Sequence, residues 1–274
     1  MIRGNNFRFG AGYTDLLLEL KKQPDEELTI INLAKLQDEQ FIFISHGDEG
    51  IRIGAMVTAV KIISDKKLQK QYPVLFKAAN SLASRQIRQV ATVGGNLCTA
   101  SPAGDIACAL VALEAKCEIL STDGSIRVIP IQNFFVDVRE TVLQKNEVLR
   151  SVLVPSFQKQ NEQVGGIYSD FIKIGTRRSM ECSVVSLAYH VQADKNNIVL
   201  SAGIAIGSAA PTIKFINSAC NFLIGKDFSK LSEEEKEEFA GKVLEYASPI
   251  SDIRASAWYR KEVLFNVSKS IFLG

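Results

Sequence analysis

Residues 86–113, QIRQVATVGGNLCTASPAGDIACALVAL, place a Gly-Gly pair and several small hydroxyl or amide side chains directly ahead of an apolar, helix-like run. That order is how a backbone builds an anion cradle. Gly94 and Gly95 can take φ > 0 and bring amide N–H groups close to a ligand with no Cβ in the way. Thr92, Asn96, Thr99 and Ser101 add hydrogen-bonding groups, and Ser101 followed by Pro102 reads as an N-cap and first helical position whose amides also favour an anion. A diphosphate-bearing cofactor fits, although a Gly-Gly before polar residues is, taken alone, more often an ordinary hairpin turn. A second loop shifts the balance. In FRFGAGYTDLLLEL, Phe7 to Leu20, the small residues Gly10, Ala11 and Gly12 lie between a short apolar strand and an apolar segment that begins after Thr14 and Asp15. Two such loops could clasp one pyrophosphate.

With these segments the chain resembles the FAD-binding medium subunits of the molybdenum hydroxylases, the xanthine dehydrogenase and carbon monoxide dehydrogenase family. The family's A-G-G-T-D-L loop is matched by Ala11-Gly12-Tyr13-Thr14-Asp15-Leu16. Its I-R-N-x-A-T-x-G-G-N segment, followed by A-S-P-x-x-D, is matched by Ile87 to Asn96 and then Ala100 to Asp105. FIKIGTRRSMECSVVSLA (Phe171 to Ala188), GSAAPTIKFINSACNFLIG and SDIRASAWYRKEVLF extend the likeness over nearly the whole chain. The resemblance implies an α+β fold: a two-part FAD-binding domain of the vanillyl-alcohol-oxidase-like (PCMH) type over 1–157, then a smaller domain over 166–274 with a three-stranded antiparallel sheet and helices. It implies noncovalent FAD held by Gly10, Ala11, Gly12, Tyr13, Thr14, Asp15, Thr92, Gly94, Gly95, Asn96, Thr99 and Ser101, with Asp105, Leu153 and Lys173 near the cofactor. No side chain of this chain is expected to act as a catalytic acid or base, because redox chemistry belongs chiefly to a flavin.

Three departures stand out. Tyr13 replaces a glycine, and a bulky residue at φ > 0 is strained, so an extended or displaced loop is expected there. Gln89 replaces the family's asparagine. Only nine residues precede the first loop, where relatives carry a further strand and helix.

Composition agrees with a compact globular chain. Its 274 residues are 46% hydrophobic and 23% charged, enough for a substantial core and roughly two domains. A formal charge of +2 gives no electrostatic reason to expect nucleic acid or membrane. No leader is evident at Met1, and the longest uncharged run, Asn196 to Ile213, is interrupted by Asn, Ser, Gly and Pro, so a cytoplasmic location is expected. Cys98, Cys108, Cys117, Cys182 and Cys220 form no CxxC pair, and His46 and His190 have no nearby ligand partners, so no metal site is expected. The thiols should be reduced. Cys98 lies inside the second loop, where it is either a buried structural thiol or one that approaches the flavin. His190 sits in a strand-like run and reads as a satisfied sheet residue rather than a general base.

Strand-like runs appear at LTIINL, FIFISH and GIRIGAMV, with Gly47 to Gly50 as the turn between the last two. Pro73 opens an amphipathic helix, PVLFKAANSLAS, and KCEILSTDGSIRVIPI predicts a hairpin about Asp123-Gly124. SFQKQNEQVGG, after Pro155, marks a boundary. IYSDFIKIG, SVVSLAYHVQ and NIVLSAGIAIG then suggest antiparallel strands, and Ser232 with Glu235 forms a capping box before a helix carrying Phe239 and Val243 on one face. The final helix places Trp258 beside Arg254, Arg260 and Lys261, with packing on its own domain weighed above an interface role.

Two classes of function remain open. As a redox subunit the chain would accept electrons by way of [2Fe-2S] clusters on an iron–sulfur small subunit, fed by a molybdopterin large subunit, in a hetero-oligomer that passes them to NAD, a quinone or oxygen. As a binding module it would hold a flavin or nucleotide for assembly or regulation without turnover; a UDP-sugar reductase-like flavoenzyme is a further possibility. Lys173 and Arg177 could bias a reduced flavin by positive charge and Glu181 could oppose them, or the three could simply be a solvated strand end.

Overall fold

The computed structural model describes residues 6–22, 24–25, 27–156, 164–177 and 180–272. The chain opens with a small lobe: β1 (Phe7–Gly10), α1 (Leu16–Lys22) and β2 (Thr29–Asn32), the two strands pairing in parallel. There follow α2 (Glu39–Ile42), β3 (Ile44–Gly47), β4 (Gly50–Gly54), α3 (Ala59–Ser64), α4 (Lys66–Gln71), α5 (Pro73–Ser81), α6 (Arg85–Val90), α7 (Val93–Cys98) and α8 (Asp105–Ala112). Strands β5 (Lys116–Ser121) and β6 (Ile126–Pro130) form the expected hairpin, β7 (Phe135–Asp137) pairs with β8 (Glu140–Thr141), and β9 (Glu147–Pro155) runs through the middle of a sheet ordered β3-β4-β9-β5-β6. The remaining chain forms β10 (Gly166–Ile174), β11 (Val185–Ala193), β12 (Val199–Gly207), β13 (Lys214–Phe215), α9 (Asn217–Leu223), α10 (Glu233–Leu244) and α11 (Ala257–Ser270).

Helix α8 holds the two halves together. Every residue of it is buried, which an apolar sequence without a polar stripe demands, and it packs on α5, α7, β11 and β12. Strand β12 passes so close to its C-terminal end that a Cβ on Gly203 would lie 1.9 Å from the Ala112 carbonyl oxygen. Strand alternation divides β11 between two cores. Ala188 joins the cluster built mainly from residues 41–154, whereas Val185, Leu187, Tyr189 and Val191 face the cluster under α9, α10 and α11.

Two local expectations change, and the final helix packs on its own domain as expected. FIFISH does not begin as a strand: Asp38 accepts a hydrogen bond from the Gln40 N–H at 2.8 Å and starts the short helix α2, which buries Phe41 before the strand begins at Ile44. The second sheet has a fourth, two-residue strand, β13, because the chain doubles back after Gly207 and the Ile216 N–H reaches the Ile204 carbonyl. Helix α11 packs through Arg260, Leu264 and Ser268, leaving Trp258 exposed. The capping box of α10 is present, with Ser232 and Glu235 each bonding the other's backbone. Ser232→Ala is expected to cost about 1 kcal/mol, read as a lower urea midpoint; an unchanged midpoint would mean that the cap contributes nothing.

Candidate functional site

The first loop leaves β1 at Gly10 and enters α1 at Leu16; the second runs from the end of α6 through α7 to the start of α8. Between them lies a cavity of about 1080 Å³, lined by Ala11 to Asp15, by Thr92, Gly94, Gly95, Asn96, Thr99 and Ser101, and by Asp105 and Lys173. Most residues expected at the site therefore meet in one space, of the size that takes a dinucleotide rather than a fragment.

Two do not line it. Gly10 is buried at the end of β1, and the Tyr13 ring lies across it so closely that a Cβ there would sit 2.5 Å from the ring. Leu153 stands opposite Arg52 and Lys116 within the five-stranded sheet; residues four and five positions earlier on β9, Leu149 and Val148, reach the cavity instead.

The glycines also work differently from the expectation. Neither Gly94 nor Gly95 has positive φ; both lie in the first turn of α7, capped by Thr92 Oγ1 accepting from the Gly95 N–H at 3.0 Å. The Gly94 N–H donates to the Ala55 carbonyl at 2.7 Å, so these amides are spent inside the protein. Absence of a side chain is needed here for close packing: a Cβ on Gly94 would lie 2.9 Å from the Ala55 carbonyl oxygen. Ser101 does not cap α8, whose N-cap is Gly104; its Oγ accepts from the Ala103 N–H at 3.2 Å. Asn96 Oδ1 accepts from the Ala107 N–H at 2.9 Å and ties α7 to the first turn of α8.

The first loop has donors to spare. Among the described residues the N–H groups of Ala11, Gly12, Tyr13 and Thr14 are consumed by no turn or helix bond. Gly12 rests on the end of α6, where a Cβ would come within 2.1 Å of the Val90 carbonyl oxygen. Tyr13 is not extended. It takes φ 62, a left-handed conformation costing roughly 1–2 kcal/mol, with its ring packed over Gly10. Ala83, Arg139 and Met180 also line the cavity and also have positive φ, so four of the eight such non-glycine residues among those described surround this one space. Backbone strain concentrates where a site must be held in shape.

On the inner wall, Lys173 of β10 donates to Asp105 Oδ2 at 2.6 Å, and its Nζ lies 3.5 Å from the Ser81 carbonyl at the end of α5. Asp105 is 2% exposed, and burial, opposed by the Lys173 charge, raises its pKa. Its second oxygen, Oδ1, is buried with no hydrogen-bond partner among the described residues. Lys173 is thus neutralised in place. Arg177 donates to the Met180 carbonyl, and Glu181, which lines the cavity, accepts from the backbone of Thr176 and Arg177; its contacts with Thr176 head the causes that hold its carboxyl below the usual range. Cys98 opens onto the cavity, yet enough protein surrounds it that burial pushes the thiol up to about 12, a protonated and weakly nucleophilic state. His190 lies away from this space, between β10 and α5.

Sequence reading missed Arg8, Glu19, Arg139, Glu147, Met180 and Cys182, all of which line the cavity. Glu147 is held on the sheet side by Arg127, whose hydrogen bonds depress its pKa. Arg139 and Glu147 reach the cavity from elements distant in sequence from both loops, and Arg8, Glu19, Met180 and Cys182 lie beside segments that were read without a role being given to them.

Residues 2–157 match the family described as "FAD binding domain in molybdopterin dehydrogenase", and residues 170–273 match "CO dehydrogenase flavoprotein C-terminal domain". The chain is 31% identical over 261 residues to the xanthine dehydrogenase FAD-binding subunit of Escherichia coli O157:H7, covering 95% of this chain and 86% of that one. It is 27% identical over 266 residues to the nicotinate dehydrogenase FAD-subunit of Eubacterium barkeri, covering 96% and 86%. A solved carbon monoxide dehydrogenase from Hydrogenophaga pseudoflava superposes with a TM-score of 0.86 at 25% identity, covering 97% of this chain and 88% of the other. With the cavity, its two loops and the mixed helix-and-sheet architecture, these matches fix the affiliation: the chain belongs to the family of FAD-binding medium subunits of the xanthine and carbon monoxide dehydrogenases.

Proposed function

We propose that this chain is the electron-transfer subunit of a molybdenum-containing hydroxylase or dehydrogenase. It holds FAD noncovalently in the cavity between the two loops, receives electrons from [2Fe-2S] clusters on a small subunit supplied by a molybdopterin large subunit, and delivers them to NAD or another acceptor. The observation that carries this reading is the cavity itself: about 1080 Å³, walled by both loops, with the unspent amides of Ala11 to Thr14 on one side and the unpartnered Asp105 Oδ1 on another. Bound FAD supplies reversible electron transfer that no side chain can. The chain's part is position and charge. Ala11 to Asp15 receive the diphosphate, Thr92 to Ser101 shape the opposite wall, and Asp105, oriented by Lys173, offers one acceptor to the cofactor.

In this reading residues 1–157 form the FAD-binding domain and 166–274 a domain that closes one wall with Lys173. The iron–sulfur clusters and the molybdopterin are carried, in this reading, by the partner subunits; among the described residues no three His, Cys, Asp or Glu side chains converge to bind a metal. A cytoplasmic hetero-oligomer is the setting we propose; among the described residues no helix is long and apolar enough to cross a membrane.

The purified chain, alone or with its partner subunits, is expected to carry a yellow chromophore that denaturation releases as FAD. Gly12→Ala should lose most of it, since the added Cβ meets backbone at Val90 and displaces the loop, while far-ultraviolet circular dichroism stays that of the parent. A colourless parent that takes up no FAD would refute the proposal. If FAD binds but neither NADH nor the partner subunits can reduce it, the chain is a binding module without turnover.

A further inference from the structure

The two loops differ in what they can offer an anion. The second spends its glycine amides within the protein, and the first presents neutral N–H groups only. A diphosphate is doubly anionic, and of the described cations lining the cavity, Lys173 is committed to Asp105. Two of the others stand beside the loops and share one carboxylate. Arg8, on β1 immediately before the first loop, contacts Glu19 Oε2 at 2.7 Å, and Arg139 contacts Glu19 Oε1 at 3.1 Å. All three residues line the cavity, and all are about half exposed.

Arg139 is not on a passively wandering loop. It occupies the turn between β7 and β8 at φ 61, and its N–H donates at 3.0 Å to the carbonyl of Ala100, itself at φ 46 in the second loop. Two left-handed residues are thus tied together at the cavity's edge, an arrangement that costs conformational energy and fixes where the guanidinium starts from. Glu19 occupies one contact of each arginine, and a guanidinium has five N–H donors in a fork suited to phosphate.

We infer that Arg139, seconded by Arg8, is the cationic half of the diphosphate site, and that Glu19 holds both arginines at the cavity edge until a dinucleotide competes for them. This rests on the FAD reading above and assigns the residues that read its diphosphate. Arginine contacts to phosphate are charge-assisted and bidentate, whereas an ion pair this exposed contributes little to stability. The trade therefore favours the ligand.

Two substitutions separate a ligand residue from a simple clasp between the small lobe and the body of the protein. FAD affinity of the apo-chain is measured by flavin fluorescence titration at low and moderate salt. Arg139→Gln is expected to weaken FAD by about 10- to 100-fold, the worth of a hydrogen bond to a charged group, and to flatten the salt dependence. Glu19→Gln should do the reverse, tightening FAD by about two- to fivefold, the worth of the exposed pair it releases. Arg139→Lys keeps the charge without the fork and should fall between parent and Arg139→Gln; it carries the test if Arg139→Gln does not fold. Arg139 variants that bind FAD like the parent would overturn the proposal. So would equal weakening by Arg139→Gln and Glu19→Gln, which is the signature of a clasp. A parent chain that binds no FAD at all would instead fell the underlying reading.

Discussion

Replacing Lys173 with alanine is expected to lower the free energy of unfolding by about 3–5 kcal/mol, the cost of leaving a buried charge without its partner. The pair sits where three elements meet: Lys173 on β10, Asp105 in the first turn of α8, and the Ser81 carbonyl ending α5. The lysine is 15% exposed and the aspartate 2%. Asp105 already has one unpartnered buried oxygen, and removing the ammonium strands the other, leaving only the amides of the α8 first turn in favour of the charge. Its carboxyl, raised by burial even with Lys173 beside it, would then protonate instead. Urea unfolding at neutral pH reads the loss. Asp105→Asn with Lys173→Met should recover most of it, because an uncharged pair of similar volume escapes the desolvation penalty. A Lys173→Ala protein within about 1 kcal/mol of the parent would show that water reaches Asp105 and that the pair is not structural.

This coupling bears on function as well. Asp105 lies in the stretch that matches the FAD-binding domain, residues 2–157, and Lys173 in the stretch that matches the C-terminal domain, residues 170–273, so this wall of the cavity needs both stretches packed together. Helix α8 enforces that packing, being buried on every side and pressed against β12 at Gly203. A chain that loses the pair should therefore lose flavin along with stability.

What could be read from sequence follows the range of the interactions. Helix α5, the β5–β6 hairpin at Asp123-Gly124 and the Ser232–Glu235 box were legible because the residues that specify them lie within a few positions of one another. The short helix α2 was not, since a continuous apolar run such as that in FIFISH looks the same whether Phe41 enters the core from a strand or from a helical turn capped by Asp38. The two loops were found, but the part played by their glycines was not. A glycine that admits a neighbouring backbone, as Gly12 and Gly94 do, carries the same letter as one that needs φ > 0, and here Tyr13, Ala83, Arg139 and Met180 take the left-handed conformations instead. Lys173 and Asp105 were singled out separately by the family resemblance, yet nothing in the sequence pairs residues 68 positions apart. Glu19 and Arg139, 120 positions apart, were not paired by the sequence for the same reason. Leu153, which the family resemblance put near the cofactor, does not line the cavity; the sheet register brings Leu149 and Val148 there.

Acid is expected to weaken the protein as pH falls below neutrality, and His190 is the reason. Strand alternation turns it from β11 toward α5, where its Nδ1 lies 3.0 Å from Ser169 Oγ and its ring lies 5.8 Å from that of Tyr72. Ser169 Oγ accepts from the Val74 N–H, leaving its hydroxyl hydrogen for the imidazole, an arrangement that suits a neutral ring. Burial lowers the His190 pKa from its ordinary 6.5 to about 4. The sign follows directly: between those values the unfolded chain takes up the proton and the folded one does not, so stability falls as pH drops through this window and is fully present above it. At about 1.4 kcal/mol per unit the loss is about 2 kcal/mol by pH 5 and about 3 kcal/mol by pH 4. Urea midpoints from pH 7.5 to 5 should therefore decline in the parent, and His190→Gln should start lower but stay flat across the same range. Parallel slopes in the two proteins would assign the acid sensitivity elsewhere.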